Sequence, residues 1–178
     1  FRGCIRGCRF CQAGYCYRPV RPRSVDLLVK QGIASCKDSG YQEMTLSSLS
    51  TSDYRPLTEL CDGLLEYCDP RNININLPSL RADGFSMGIM QRLQRVRKTS
   101  ITFAPEAGTQ RMRDTINKNV KEEDLLQSCR TAFEGGCNAV KLYFMLGLPT
   151  ETDEDVIGIA QLAEKVYWTW KSYAVNKS

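Results

Sequence analysis

Three cysteines, Cys4, Cys8 and Cys11, fall within the opening stretch FRGCIRGCRFC, spaced C-x3-C-x2-C. A closed structural zinc site needs four Cys or His ligands. The sequence contains no histidine, and Cys16 follows too soon to form a second CxxC knuckle. The same absence removes Ser-His and Cys-His nucleophiles and histidine general bases from this segment. An iron–sulfur cube is the better reading. Thiolates are its usual ligands, three cysteines hold three irons, and the fourth iron is left open for a small molecule, as a coordination position is in catalytic zinc.

The remaining thiols read differently. Nine cysteines is an odd number for a disulfide framework. Cys61 and Cys68 share an apolar helix face, Cys129 sits with Leu125, Leu126 and Phe133, and Cys137 lies where a strand begins. These are expected to be reduced core thiols, which suits a cytoplasmic protein. Cys16, between Tyr15 and Tyr17, is a candidate second redox group or simply a surface thiol. Six arginines, Arg2, Arg6, Arg9, Arg18, Arg21 and Arg23, precede the first acid, Asp26, within a modest net charge of +4. Such a basic end could face phosphates or an anionic cofactor, or form a solvated loop.

The elements that must position these groups follow a repeating pattern. With 178 residues, 42% apolar and 25% charged, the chain has enough material for one sizeable core. No apolar run approaches the ~20 residues that span a bilayer, so no membrane partner is expected. SVDLLVKQGIASCKDSG predicts a helix capped at Ser24 and stopped at Gly40. Helices are likewise predicted over PLTELCDGLLEYC, GFSMGIMQRLQRV, KEEDLLQSCRTAFEGG and TDEDVIGIAQLAEKVYWTWKSYA, the last with a Thr152–Asp155 capping box. Strands are predicted over EMTLSSLS, RNININLPSL, TSITFAPEAG and NAVKLYFMLGLP, the last buried on both faces. Strands alternating with helices argue for an α/β fold with a parallel sheet. Each strand ends in unusual polar or Gly/Pro chemistry: SSLSTSD, LPSLRAD, APEAGTQ, LGLPTET. Functional loops gathered at that one end favour a β/α barrel over an open sheet. The expectation is a partial barrel spanning 1–178, truncated at both ends, with its first strand and those after the fifth missing.

The motif Cys4-x3-Cys8-x-Phe10-Cys11, ahead of a run of βα units, resembles the radical S-adenosylmethionine (SAM) superfamily, a TIM-barrel-like group of enzymes. APEAGTQRMRDTINKN and YFMLGLPTETDEDV resemble the strand-four and strand-five segments of its Elp/MiaB/NifB-like branch. RGCRFCQAG, SLSTSDY, LPSLRAD and TFAPEAGTQR are similar to an uncharacterised bacterial family within it. Members of that family often carry an upstream cobalamin-binding-like region and a further C-terminal domain.

The resemblance implies that Cys4, Cys8 and Cys11 hold a [4Fe–4S] cluster and that SAM chelates the open iron. Reductive cleavage of SAM then gives a 5′-deoxyadenosyl radical for hydrogen abstraction. It places Phe10 near the adenine and Ser50 and Thr51 near the SAM amino group, the alternative for these two being a cap for the following helix. Ser79, with Arg81, would reach the ribose or the substrate, and Glu106 would contact the ribose. Lys118 stands where relatives often carry an arginine for the SAM carboxylate, with Arg111 and Arg113 as fallbacks. Gly147 and Leu148 would line the adenine. The implied partners are SAM, an electron donor such as flavodoxin or ferredoxin, and an unknown substrate, RNA among the candidates. Cobalamin in a missing region is a further expectation. The competing readings are an iron–sulfur electron-transfer or binding module without SAM turnover, and a zinc-stabilised interaction domain.

Overall fold

A computed structural model describes residues 2–78, 81, 87–93 and 101–175. Its elements in chain order are α1 (Ala13–Cys16), α2 (Val25–Ser39), β1 (Glu43–Thr45), α3 (Leu57–Cys68), β2 (Asn74–Asn76), α4 (Met87–Leu93), β3 (Ile101–Glu106), α5 (Gln110–Thr115), α6 (Glu122–Glu134), β4 (Val140–Phe144) and α7 (Asp153–Val175). The fold is α/β, with parallel strands alternating with helices. β1 pairs with β2 and β3 with β4, both in parallel. Among the described residues no ladder joins the two pairs. No described helix is long and apolar enough to cross a membrane.

Local signals account for the helices. α2 ends at Gly40 in the left-handed conformation, its N–H bonded to the Cys36 carbonyl. Ser24 sits at the N-cap with extended backbone but makes no side-chain cap bond. Glu122, Glu123 and Asp124 complement the N-terminal dipole of α6. At the start of α7 the Thr152 N–H donates to the Asp155 carboxylate at 3.0 Å, as the capping box predicts.

Each strand pair buries one face against its helices. Met44, Ile73 and Ile75 pack with Leu57, Leu60, Cys61, Leu64 and Cys68 of α3. Ile101 and Phe103 pack with Leu125, Cys129 and Phe133 of α6 and Leu162 and Val166 of α7. Fully burying one such Leu or Phe is worth about 1.5–3 kcal/mol. A third, smaller cluster of Ala107, Met112 and Ile116, with Met145 and Leu148 against it, lies beyond the C-terminal ends of β3 and β4.

Two expectations are corrected. The first two strands are three residues each, because Ser47–Ser50 and Leu77–Pro78 leave the ladder as loop. β4 is not buried on both faces: Lys141 and Tyr143 are exposed while Val140, Leu142 and Phe144 turn toward the core. A run of apolar letters does not distinguish one covered face from two.

Candidate active site

The cysteine loop is closed at its base and fastened at its sides. Arg2 and Arg21 exchange backbone hydrogen bonds at 3.1 and 2.8 Å, and the Cys4 N–H donates to the Tyr17 carbonyl at 3.3 Å. α1 packs so close that a Cβ on Gly14 would lie 2.4 Å from the Arg6 carbonyl oxygen, so no side chain fits there. Cys4 and Cys8 are buried, Cys11 is half-buried, and all three are free thiols. The Arg6 N–H points at Cys4 Sγ, 3.4 Å away.

On one side Arg6 forms a two-pronged ion pair with Asp53, its Nε donating to Oδ2 at 2.9 Å and its second prong to Oδ1. Ser50 Oγ donates to the same carboxylate at 2.6 Å. Burial alone would raise the Asp53 pKa, but hydrogen bonds from Arg6 and Ser50 and the charges of Arg6 and Arg81 hold it below the usual carboxylate value. On the other side the Arg9 N–H donates to the Ile116 carbonyl at 2.9 Å, and Asn117 Nδ2 donates to the Gly7 carbonyl at 2.7 Å.

The turn that grips the loop also carries Lys118. Its Nζ donates to Glu106 Oε1 at 2.9 Å and stands 5.7 Å from the centroid of the Phe10 ring, a cation–π distance. Only 11% of the Lys118 side chain and 16% of the Glu106 side chain are exposed. Glu106 follows a register irregularity at the end of β3, next to Pro105, and its φ of 70° lies in the left-handed region. A non-glycine residue held there marks a place where the surroundings dictate the backbone. Its carbonyl accepts the Met145 N–H at 2.8 Å, tying it to the end of β4.

The structure therefore brings Phe10, Glu106 and Lys118 together beside the loop of Cys4, Cys8 and Cys11. Glu106 is not a surface acid. Gly147 has a φ of 78° and gives its N–H to Glu151 Oε2 at 2.7 Å, while Leu148 packs on the small cluster under the site. Ser50 and Thr51 are both buried after β1, and neither caps α3 with its side chain. Ser50 turns to Asp53, and Thr51 Oγ1 donates to the Pro78 carbonyl at 2.7 Å, joining the loops after β1 and β2. Arg81 donates to the Lys118 carbonyl at 2.8 Å. Ser79 lies outside the described residues.

The two fallback arginines serve elsewhere. Arg113 is fully buried and spends its guanidinium on the carbonyls of Ala107, Gly108 and Val120. Arg111 pairs with Asp155 and the Thr150 carbonyl. The residues missed by sequence reasoning are Asp53 and Asn117. Asp53 stands in the SLSTSD run and Asn117 in TINKN, both already singled out, but neither stretch says what its side chain reaches.

The loop offers three free thiols and no imidazole, the donor type that iron–sulfur clusters take. Among the described residues no three Cys, Asp or Glu side chains converge as a metal site. Three buried thiols elsewhere are poor ligands: burial pushes Cys61 and Cys129 up to about 12 and Cys68 up to about 11. They lie in the cores, as read from their helical faces.

The family model described as "Radical SAM superfamily" matches residues 1–163. The chain is also 39% identical over 165 residues to "Uncharacterized protein MJ0966" of Methanocaldococcus jannaschii, covering 93% of this chain and 36% of that protein. It thus spans little more than a third of that relative's length.

Proposed function

This chain belongs to the radical SAM superfamily, and from that premise we propose that the protein containing it is a radical SAM enzyme whose cluster ligands are Cys4, Cys8 and Cys11. The carrying observation is the meeting of the three-cysteine loop with Phe10, Lys118 and Glu106. When bound, a [4Fe–4S] cluster with SAM on its open iron supplies reductive cleavage of SAM and a 5′-deoxyadenosyl radical that abstracts hydrogen from the substrate.

The chain's own residues supply position and charge. Cys4 and Cys8, shielded from solvent, and Cys11, at the edge, hold the irons. Phe10 offers an exposed ring to the adenine. Lys118 gives the SAM carboxylate a cation, and Glu106 keeps that ammonium aimed and accepts hydrogen bonds from the ribose. Ser50 and Thr51 have committed their hydroxyl protons, so they would serve the SAM ammonium as acceptors. Gly147 and Leu148 border the adenine, and Ser79 completes the proposed set. For the whole protein the proposal includes a cytoplasmic setting, an electron donor of the flavodoxin or ferredoxin class, and a cobalamin-binding-like region elsewhere in the chain.

The test is anaerobic iron–sulfide reconstitution of the full-length protein, followed by reduction in the presence of SAM. Four irons per chain and release of 5′-deoxyadenosine are expected, with both lost in Cys4→Ala, Cys8→Ala and Cys11→Ala. Iron uptake without 5′-deoxyadenosine would replace the proposal with the electron-transfer reading. Zinc uptake with no iron would end it.

A further inference from the structure

We infer that Asp53 and Asn117 are positioning residues that clamp the cysteine loop at two neighbouring points, so that the loop stands ordered before any cluster is built. The purpose of the clamp rests on the radical SAM reading, but its mechanics do not.

Cys4 and Cys11 lie seven positions apart, and a run that short has little structure of its own to fix three thiols in space. Cys11 N–H donates to the Cys8 carbonyl at 3.1 Å, which shapes one turn only. Beyond the local closures at Arg2–Arg21 and Cys4–Tyr17, restraint comes from far away in the chain. Asp53, 47 residues from Arg6, grips the guanidinium with both carboxylate oxygens and is itself oriented by Ser50. That grip holds the peptide whose N–H meets Cys4 Sγ. Hydrogen bonds to cluster sulfurs are one means by which a protein sets a cluster's potential.

Asn117 lies 110 residues from Gly7, and its amide holds the carbonyl just before Cys8. Asn117 has a φ of 53°, a conformation asparagine tolerates better than most residues. The turn it occupies also takes the Arg9 N–H on the Ile116 carbonyl and sends Lys118 to Glu106. One turn therefore sets both the loop and the cation opposite Phe10. The fit is close: a Cβ on Gly7 would stand 3.0 Å from Asn117 Nδ2. Asp53 and Asn117 are side-chain clamps on a loop that must present sulfur atoms at fixed spacing, and small misplacements at such sites are costly.

The protein carries its own controls. Cys16 is exposed and reports a fully accessible thiol, whereas Cys61, Cys68 and Cys129 are completely buried and report global opening. The experiment is iodoacetamide labelling of the full-length protein, stripped of iron under anaerobic conditions, with each cysteine followed by mass spectrometry. In Asp53→Asn the labelling of Cys4 and Cys8 relative to Cys16 should rise by roughly five- to tenfold, as for a local opening released by one partly buried ion pair. In Asn117→Ala the rise should fall on Cys8 and Cys11. Asp53→Glu, which keeps the charge, should restore part of the protection. The core thiols should stay unlabelled throughout. A selective rise in either variant supports the clamp. It is overturned if neither variant shows one, whether because no rate changes or because loop and core thiols open in step. Since no cluster is present, failure here would leave the cluster assignment to be judged by its own test.

Discussion

Glu106 allows the site's backbone and its charge pairing to be tested separately. At a φ of 70° any L side chain is strained, by about 1 kcal/mol or more. Its carboxylate is paired with a lysine that is only 11% exposed. An exposed pair contributes about 0–1 kcal/mol, and losing one partner of a buried pair costs about 3–5 kcal/mol. This pair lies between those limits, so deleting the carboxylate should cost about 2 kcal/mol. Glu106→Ala and Glu106→Gly both delete it and differ only in the backbone they prefer. At an ordinary position alanine is the more stable by about 0.4–1 kcal/mol, through the unfolded chain. Here the order should invert, with Glu106→Gly more stable than Glu106→Ala by about 1 kcal/mol. The assay is equilibrium urea unfolding of the two variants in the full-length protein, compared with Glu106→Gln, which keeps the side chain's size. An alanine variant as stable as the glycine variant would show that β3 does not end in a left-handed residue, and the strain reasoning would fail.

Other outcomes follow from the same geometry. Hydrogen bonds from Thr109 and Arg111 hold Asp155 well below the usual carboxylate range, against the opposing effect of burial. The unfolded chain therefore takes up that proton first; the stabilisation is fully present above about pH 5 and is lost as pH falls below about 3.9. Thermal unfolding against pH should show a flatter acid limb in Asp155→Asn. A Cβ on Gly108 would lie 2.2 Å from the Ile159 nitrogen and 2.4 Å from the Gly158 carbonyl carbon, both backbone atoms. Gly108→Ala should cost about 2–3 kcal/mol by calorimetry, and an unchanged melting temperature would contradict the seating of α7 on the turn after β3. In calorimetric titration of the reconstituted protein, Lys118→Met should weaken SAM binding about tenfold or more, while Lys118→Arg keeps the charge and should retain most of it.

What was legible in the sequence is what depends on neighbours in the chain. α2 could be bounded because Ser24 and Gly40 punctuate it, and α6 because three acids open it and Gly135 follows it. The cysteine spacing and the polar strand ends, equally local signals, marked stretches that the structure brings together. Asp53 and Asn117 escaped because their partners lie 47 and 110 residues away, and an Asp in a polar run reads equally well as a turn or a cap. Arg113 was misplaced because arginine is ordinarily a surface residue. Its burial depends on three carbonyls that converge only once β3, the following turn and α5 are assembled. The strand lengths were overdrawn because side-chain alternation continues past the point where ladder partners run out.

The most direct test of the central claim is electron paramagnetic resonance of the reduced, reconstituted full-length protein with and without SAM. The account predicts a four-iron signal that shifts when SAM is added and is absent in Cys8→Ala. A cluster signal indifferent to SAM would contradict it, because the iron left without a cysteine would then not be the place where SAM binds.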